Sequence, residues 1–264
     1  MSLEKTEAII LKSFNWSESS RTVVFFTDRA GKLPLVDKGG RSFKSRRGRL
    51  IPFARMEITY YSSQKETRGY ISEVALLEAF SLEKSGSLGR LAFASAACEL
   101  LYLLLPDEEP QGNLYDYFRA FLGYVETADK HRLSALFLAF FLRVLSHLGY
   151  SPSLAYCALC RRDFDTVGEK ADRVLFSPAR GGIICSACQK AGDYYIPFSS
   201  ASYKLLLALQ TASLKEAVTL PIGYQETVLL LEALAKFVSY QTGITSDLKS
   251  LKFLEKLKNS ELLR

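Results

Sequence analysis

Short alternating segments fill the front of the chain and give way to helical periodicity behind it. Glu7–Ser13, Thr22–Thr27, Leu33–Asp37, Arg55–Tyr61 and Arg68–Leu77 are rich in β-branched and aromatic residues and are set apart by turn formers, which predicts five short strands. Asp28-Arg29-Ala30-Gly31 supplies a hairpin turn between the second and third of these. Five short strands predict a small barrel, and five-stranded barrels of the OB type bind oligonucleotides across one face and its loops. From Leu82 onward the period changes: Leu88, Leu91, Ala94, Cys98, Leu101 and Leu105 recur at three and four, the signature of one apolar helix face, and Pro106 ends it.

Further helices are predicted over Asn113–Thr127, Lys130–Leu148, Ser199–Thr211, Tyr224–Tyr240 and Ser246–Lys258, the last capped by Ser246-Asp247. The helical pattern breaks between Gly149 and Pro197. The expected organisation is an α+β multidomain chain: a barrel over residues 1–80, then a mainly helical domain over 81–264 with an insert at about 150–197.

All four paired cysteines fall in that break. Cys157-Ala-Leu-Cys160 and Cys185-Ser-Ala-Cys188 are two CxxC knuckles separated by residues 161–184. Each knuckle supplies two thiolates, and two knuckles close the tetrahedral S4 shell that structural zinc prefers. Phe176-Ser-Pro and Gly181-Gly182 read as a β-hairpin that brings the knuckles together. A catalytic zinc keeps one position open for water, and four cysteines leave none. The fifth cysteine, Cys98, sits on an apolar helix face and reads as a core thiol.

Charge changes the reading of the barrel. The chain carries a net +6, and residues 1–80 hold 14 Lys+Arg against 9 Asp+Glu, which leaves the remainder nearly balanced. Residues 29–49 concentrate the excess: Arg29, Lys32, Lys38, Arg41, Lys44, Arg46, Arg47 and Arg49 face a single acid, Asp37. Gly39, Gly40 and Gly48 loosen this segment into a cationic loop between two strands. Such a run is either a solvated surface or a phosphate contact. Its place on a small barrel, with Phe43 and Phe53 among or beside the charges as rings for bases, favours single strands or generic DNA held through counterion release. GGRSFKSRRG lacks the GxxxxGK[ST] order of a nucleotide cradle, so no ATP hydrolysis is expected.

No catalytic constellation emerges. The two histidines, His131 and His147, read as surface or capping residues without a GxSxG or HExxH context, and Glu108-Glu109 as solvated acids in a Pro-bounded loop. Glu4, Lys5 and Glu7 occupy the place of a secretory apolar stretch. The longest apolar run, Leu133 to Leu142 with only Ser134 breaking it, is far shorter than the roughly 20 residues of a membrane span and reads as a buried helix. Cysteines in metal spacing fit a reducing compartment, so a cytoplasmic place and no membrane partner are expected.

Several segments together resemble the RecO family of bacterial recombination mediators over essentially the whole chain. They are Glu7-Ala-Ile-Ile-Leu-Lys-Ser13, Lys38-Gly-Gly-Arg-Ser-Phe-Lys-Ser45 with Leu50-Ile-Pro-Phe53, Leu148-Gly-Tyr150 before the first knuckle, and Phe176-Ser-Pro-Ala-Arg-Gly-Gly182 leading into the second. The resemblance implies an N-terminal OB domain, a helical C-terminal domain with an inserted zinc module, and binding to single- and double-stranded DNA. It further implies strand annealing, cooperation with RecR, and replacement of single-strand-binding protein by RecA at gaps on the nucleoid. Carried over, the DNA contacts are Lys38, Arg41, Lys44 and Arg46, with Arg47, Arg49 and Phe43 as neighbours. Family members also grip the acidic, apolar tail of single-strand-binding protein in the helical domain, for which Arg119, Arg132 and Arg143 are candidates. Some members lack the cysteines, which implies a structural zinc. The rival reading is a zinc-ribbon transcription or RNA-binding factor, also basic and non-catalytic.

Overall fold

The computed structural model describes residues 2–15, 17–18, 20–40, 49–62, 69–82, 87–164, 173–244 and Lys249. Two compact units emerge, Met1–Thr127 and Ala128–Arg264. The expected final helix, Ser246–Lys258, lies outside the described residues except for Lys249.

In the first unit β1 (Ser2–Asn15), β2 (Arg21–Thr27), β3 (Gly31–Asp37), β4 (Ala54–Ser62) and β5 (Gly69–Ala79) close into a barrel in the order β1-β2-β3-β5-β4, with β4 returning to β1. This is the five-stranded OB arrangement. All ladders are antiparallel except the short β3–β5 closure at Leu35↔Gly69 and Val36↔Tyr70. Period-two alternation fills the interior with Ala8, Val23, Phe25, Leu35, Met56, Ile58, Tyr60 and Ile71.

β1 begins five residues before the sequence pattern announced it. Its front half pairs with β4 from Ser2↔Ser62 onward, and polar cross-strand contacts hold it there. Tyr60 donates its hydroxyl to Glu4 Oε2 at 2.8 Å, and Lys5 Nζ meets Glu57 Oε1 at 2.7 Å. Charged, exposed residues carry this stretch, so hydrophobic alternation alone does not register it.

Two helices belong with the barrel. α1 (Ser87–Leu104) packs on β1, where the buried Cys98 thiol donates to the Ile10 carbonyl at 3.5 Å; α2 (Gly112–Thr127) packs on β2, where Phe26 meets Tyr115 edge-on at 5.5 Å and Phe118 at 6.3 Å. Val24 and Phe26 on the outer face of β2 are therefore buried like the residues inside. This packing carries the compact unit to Thr127, past the end of the strands at Ala79.

In the second unit α3 (Leu133–His147) is buried from Ala135 to Leu142 without interruption, as its apolar run requires. A 3-10 turn over Lys130–Arg132 precedes it, capped by Asp129. α4 (Ser200–Thr211), the short α5 (Leu214–Ala217) and α6 (Tyr224–Thr242) pack against α3. Between α3 and α4 lies a three-stranded antiparallel sheet of β6 (Arg173–Ser177), β7 (Gly182–Ile184) and β8 (Ile196–Ser199), ordered β7-β6-β8. Phe176 stacks on Phe198 at 5.4 Å and touches Phe237 of α6 at 6.2 Å, which seats the sheet on the helices. Among the described residues no helix is long and apolar enough to cross a membrane.

Candidate metal centre and nucleic-acid interface

The β6–β7 hairpin does what its sequence foretold. Its turn is closed by the Gly181 N–H donating to the Ser177 carbonyl at 3.0 Å, and β7 delivers Cys185 directly. The first knuckle is zipped onto the same strand: Ser153 N–H donates to Gly181 O and Ile183 N–H to Ser153 O, both at 2.9 Å, and Ala158 N–H donates to Ile183 O at 2.8 Å. Gly182 is obligatory here, since a Cβ at that position would lie 2.2 Å from the Ser153 carbonyl oxygen. Two segments remote in sequence are thus stitched backbone to backbone before any metal is considered.

The stitching gathers Cys157, Cys160, Cys185 and Cys188 so that their sulfurs lie within 4.8 Å of one another. Cys160 Sγ and Cys185 Sγ are 3.7 Å apart. A tetrahedron with about 2.3 Å metal–sulfur bonds has an edge of about 3.8 Å, so this pair already stands at ligand spacing. The four thiols could hold one metal ion, and they fill its shell.

The thiols do not titrate alike. Burial pushes Cys157 up, but backbone N–H groups of Cys160, Cys185 and Leu159 aimed at its sulfur outweigh that and bring it down to about 6. The Cys185 N–H lies 3.4 Å from that sulfur. Cys188, in contrast, is pushed up to about 12 by hydrogen bonding among the thiols, first with Cys185 and then with Cys160. Burial raises Cys185 as well. A bound cation must draw off the protons that the raised Cys185 and Cys188 thiols hold. Cys98 stands apart in the first unit, buried and pushed up to about 12 by desolvation, an inert core thiol as expected.

The basic stretch is partly sorted by its neighbours. Lys32 is only 12% exposed; its ammonium pairs with Asp107 at 3.0 Å, donates to the Tyr102 carbonyl at 3.1 Å and so serves the packing of α1. Arg29 is exposed and pairs with Asp28 at 3.5 Å. Lys38 and Arg49 are exposed at the two described ends of the β3–β4 connection, with Lys38 Nζ 3.6 Å from the centre of the Tyr70 ring. Arg41, Phe43, Lys44, Arg46 and Arg47 lie outside the described residues. Phe53 is half-buried in a left-handed conformation, φ 53°, its carbonyl accepting from Phe80.

The three arginines named for a partner tail do not share a unit. Arg119 belongs to α2 of the first unit, 3.8 Å from Asp116 one helical turn away. Arg132 and Arg143 belong to the second, Arg132 donating to the Thr219 carbonyl at 3.3 Å and Arg143 exposed on α3. His131 and His147 are exposed at the two ends of the α3 region, matching their surface reading. Tyr61 and Tyr70 were not singled out by the sequence; only strand register sets them opposite each other.

Comparison with known proteins agrees with this architecture. Residues 1–80 match the family Recombination protein O N terminal, and residues 85–252 match Recombination protein O C terminal. The chain belongs to the recombination protein O family. Proteins named DNA repair protein RecO are similar to it over nearly their full lengths. That of Caldanaerobacter subterraneus subsp. tengcongensis is 31% identical, over 96% of this chain and 98% of its own. That of Desulfatibacillum aliphaticivorans is 30% identical over 96% of each, and that of Syntrophus aciditrophicus 28% over 98% and 97%. The two RecO matches meet between residues 80 and 85, just after β5, whereas α1 and α2 pack with the strands that precede them.

Proposed function

We propose that this protein is a non-enzymatic DNA-repair mediator that binds and anneals single-stranded DNA and, with RecR, helps RecA displace single-strand-binding protein at gaps. The observation that carries the reading is end-to-end similarity to proteins named DNA repair protein RecO, together with a cationic connection rooted between β3 and β4 of a five-stranded OB barrel. Lys38, Arg41, Lys44 and Arg46, flanked by Arg47, Arg49 and Phe43, neutralise phosphates, and the release of counterions supplies affinity with little sequence preference. Double strands bind through the same backbone contacts. The protein acts in the cytoplasm, at the nucleoid.

The metal is zinc. An all-thiolate shell with tetrahedral spacing suits it, and with no open position for water it supplies folding free energy to the insert at about 150–197 rather than chemistry. The helical domain presents surfaces to protein partners, with Arg119, Arg132 and Arg143 as cationic positions for the acidic tail of single-strand-binding protein. The barrel over residues 1–80 works as the DNA-binding domain and residues 81–264 as the partner-facing domain.

Oligonucleotide titration at two salt concentrations tests the reading. The native chain should bind single-stranded DNA with an affinity that falls steeply with salt. Replacing Lys38, Arg41, Lys44 and Arg46 by Ala should weaken binding and lower the slope of log K against log salt by about one for each phosphate no longer neutralised. A quadruple variant with native affinity and slope would refute the site. Tighter binding to structured RNA than to single-stranded DNA would favour the zinc-ribbon RNA-binding reading instead.

A further inference from the structure

Tyr61 and Tyr70 are Cα partners in the β4–β5 ladder. The pair before them, Tyr60↔Ile71, points into the barrel core, so alternation turns Tyr61 and Tyr70 outward. Side chains directly opposite on one face of an antiparallel pair stand about 5 Å apart at Cβ, so both rings belong to the same outer face of the barrel. Tyr61 is 42% exposed, and on its other side its β1 partner Leu3 is 60% exposed. Neither tyrosine belongs to the buried cluster that fills the barrel. Tyr70 is also the register partner of Val36, two residues before Lys38, and the Lys38 ammonium lies 3.6 Å from the centre of its ring. Two outward tyrosines on facing register positions and a cation on one of their rings therefore share the face where the β3–β4 and β4–β5 connections leave the barrel.

We propose that Tyr61 and Tyr70 form a base-stacking step for single-stranded nucleic acid, with Lys38 as the phosphate contact beside it; this deepens the DNA-binding reading and rests on it. In the free protein the Tyr70 ring holds the Lys38 ammonium over its face. A base entering the step takes that face, and the ammonium passes to the adjoining phosphate. Every base has a π face, so the step is tolerant of sequence. Paired bases in a duplex keep their faces against their neighbours, so the step favours single strands over double strands.

The test separates bases from phosphates. Labelled oligothymidylate and an abasic oligomer with the same number of phosphates are titrated against the full chain. The native protein should bind oligothymidylate at least about fivefold more tightly, the lower end of what one base–ring stack contributes. Tyr61→Leu with Tyr70→Leu should abolish that preference while leaving the salt slope unchanged, and Tyr61→Phe with Tyr70→Phe should restore it. Lys38→Met should lower the slope by about one and keep the preference. Equal binding of the two oligomers by the native chain, which needs no variant to fold, would overturn the stacking step and leave backbone binding intact. A preference that survives both leucine substitutions would overturn it as well. Binding to neither oligomer at low salt would defeat the DNA-binding reading and this step with it.

Discussion

Arg21 donates through Nε to Oδ2 of Asp37 at 2.9 Å, and the two residues are register partners across the β2–β3 ladder. Asp37 is buried and immediately precedes Lys38, so the one acid of the basic stretch is neutralised from inside the barrel and withdrawn from solvent. The chain then turns so close over it that a Cβ on Gly40 would lie 1.9 Å from an Asp37 carboxylate oxygen. The pair fixes where the cationic connection begins.

Removing the arginine should therefore destabilise the first unit. Arg21→Ala leaves a buried carboxylate without its partner and should cost about 2 kcal/mol, less than a fully buried pair because Arg21 keeps some contact with water. Asp37→Asn should cost less, and the double variant should lose less than the two single losses together. Urea denaturation of the four proteins measures the coupling. Additive losses would show that the pair contributes nothing beyond its separate side chains.

Tyr115 offers a change in the other direction. Its hydroxyl is buried and, among the described residues, has no hydrogen-bond partner. Tyr115→Phe removes an unsatisfied polar group while keeping the ring that meets Phe26, and should stabilise the first unit by about 1 kcal/mol. Thermal denaturation reads the shift. A melting temperature lower than native would mean that the hydroxyl is satisfied in solution.

Alkali should act on the same unit. Burial, first, and then the hydrogen bond to Glu4 raise the Tyr60 phenol above its ordinary value; burial raises Tyr115 likewise, followed by the Glu7 and Asp28 charges. The fold therefore holds protons that the unfolded chain releases from about pH 10 upward. The phenols' contribution to stability should be constant below that pH and fall as pH climbs from about 10 toward the raised folded-state values. Tyr115→Phe should make the decline shallower. Denaturant midpoints between pH 8 and 11 follow it, and an unchanged midpoint would show that neither phenol is perturbed.

Much of this architecture is written in local pattern, and its gaps have a common cause. Val23 and Phe25 alternate into the core, Ala135 to Leu142 are uninterruptedly apolar, and two CxxC pairs flank a turn sequence; each signal lies within a few residues of its consequence. What was not legible depends on pairing across distance. Ser2 to Thr6 become strand because β4 lies alongside, Lys32 is drawn from the basic run into an ion pair with Asp107 and a bond to the Tyr102 carbonyl, and Tyr61 gains meaning only opposite Tyr70. The end of the first compact unit at Thr127 likewise follows from Phe26 being covered by Tyr115 and Phe118, which no composition shift announces.

The metal centre should separate the five cysteines into two classes by reactivity. With the metal bound, none of the five thiols should react readily with a thiol reagent. Chelation should release one equivalent of zinc per chain and expose Cys157, Cys160, Cys185 and Cys188, while Cys98, buried and pushed up to about 12, should react only on global unfolding. Hydrogen exchange after chelation should rise between residues 150 and 197, yet the backbone bonds from Ser153 and Ala158 to the β6–β7 hairpin should keep part of that region protected. Acid should release the metal as well, because thiolates must take up protons to let it go. A fifth thiol reacting at the same rate as the other four, or protein purified without zinc that shows native protection across the insert, would refute a structural S4 site.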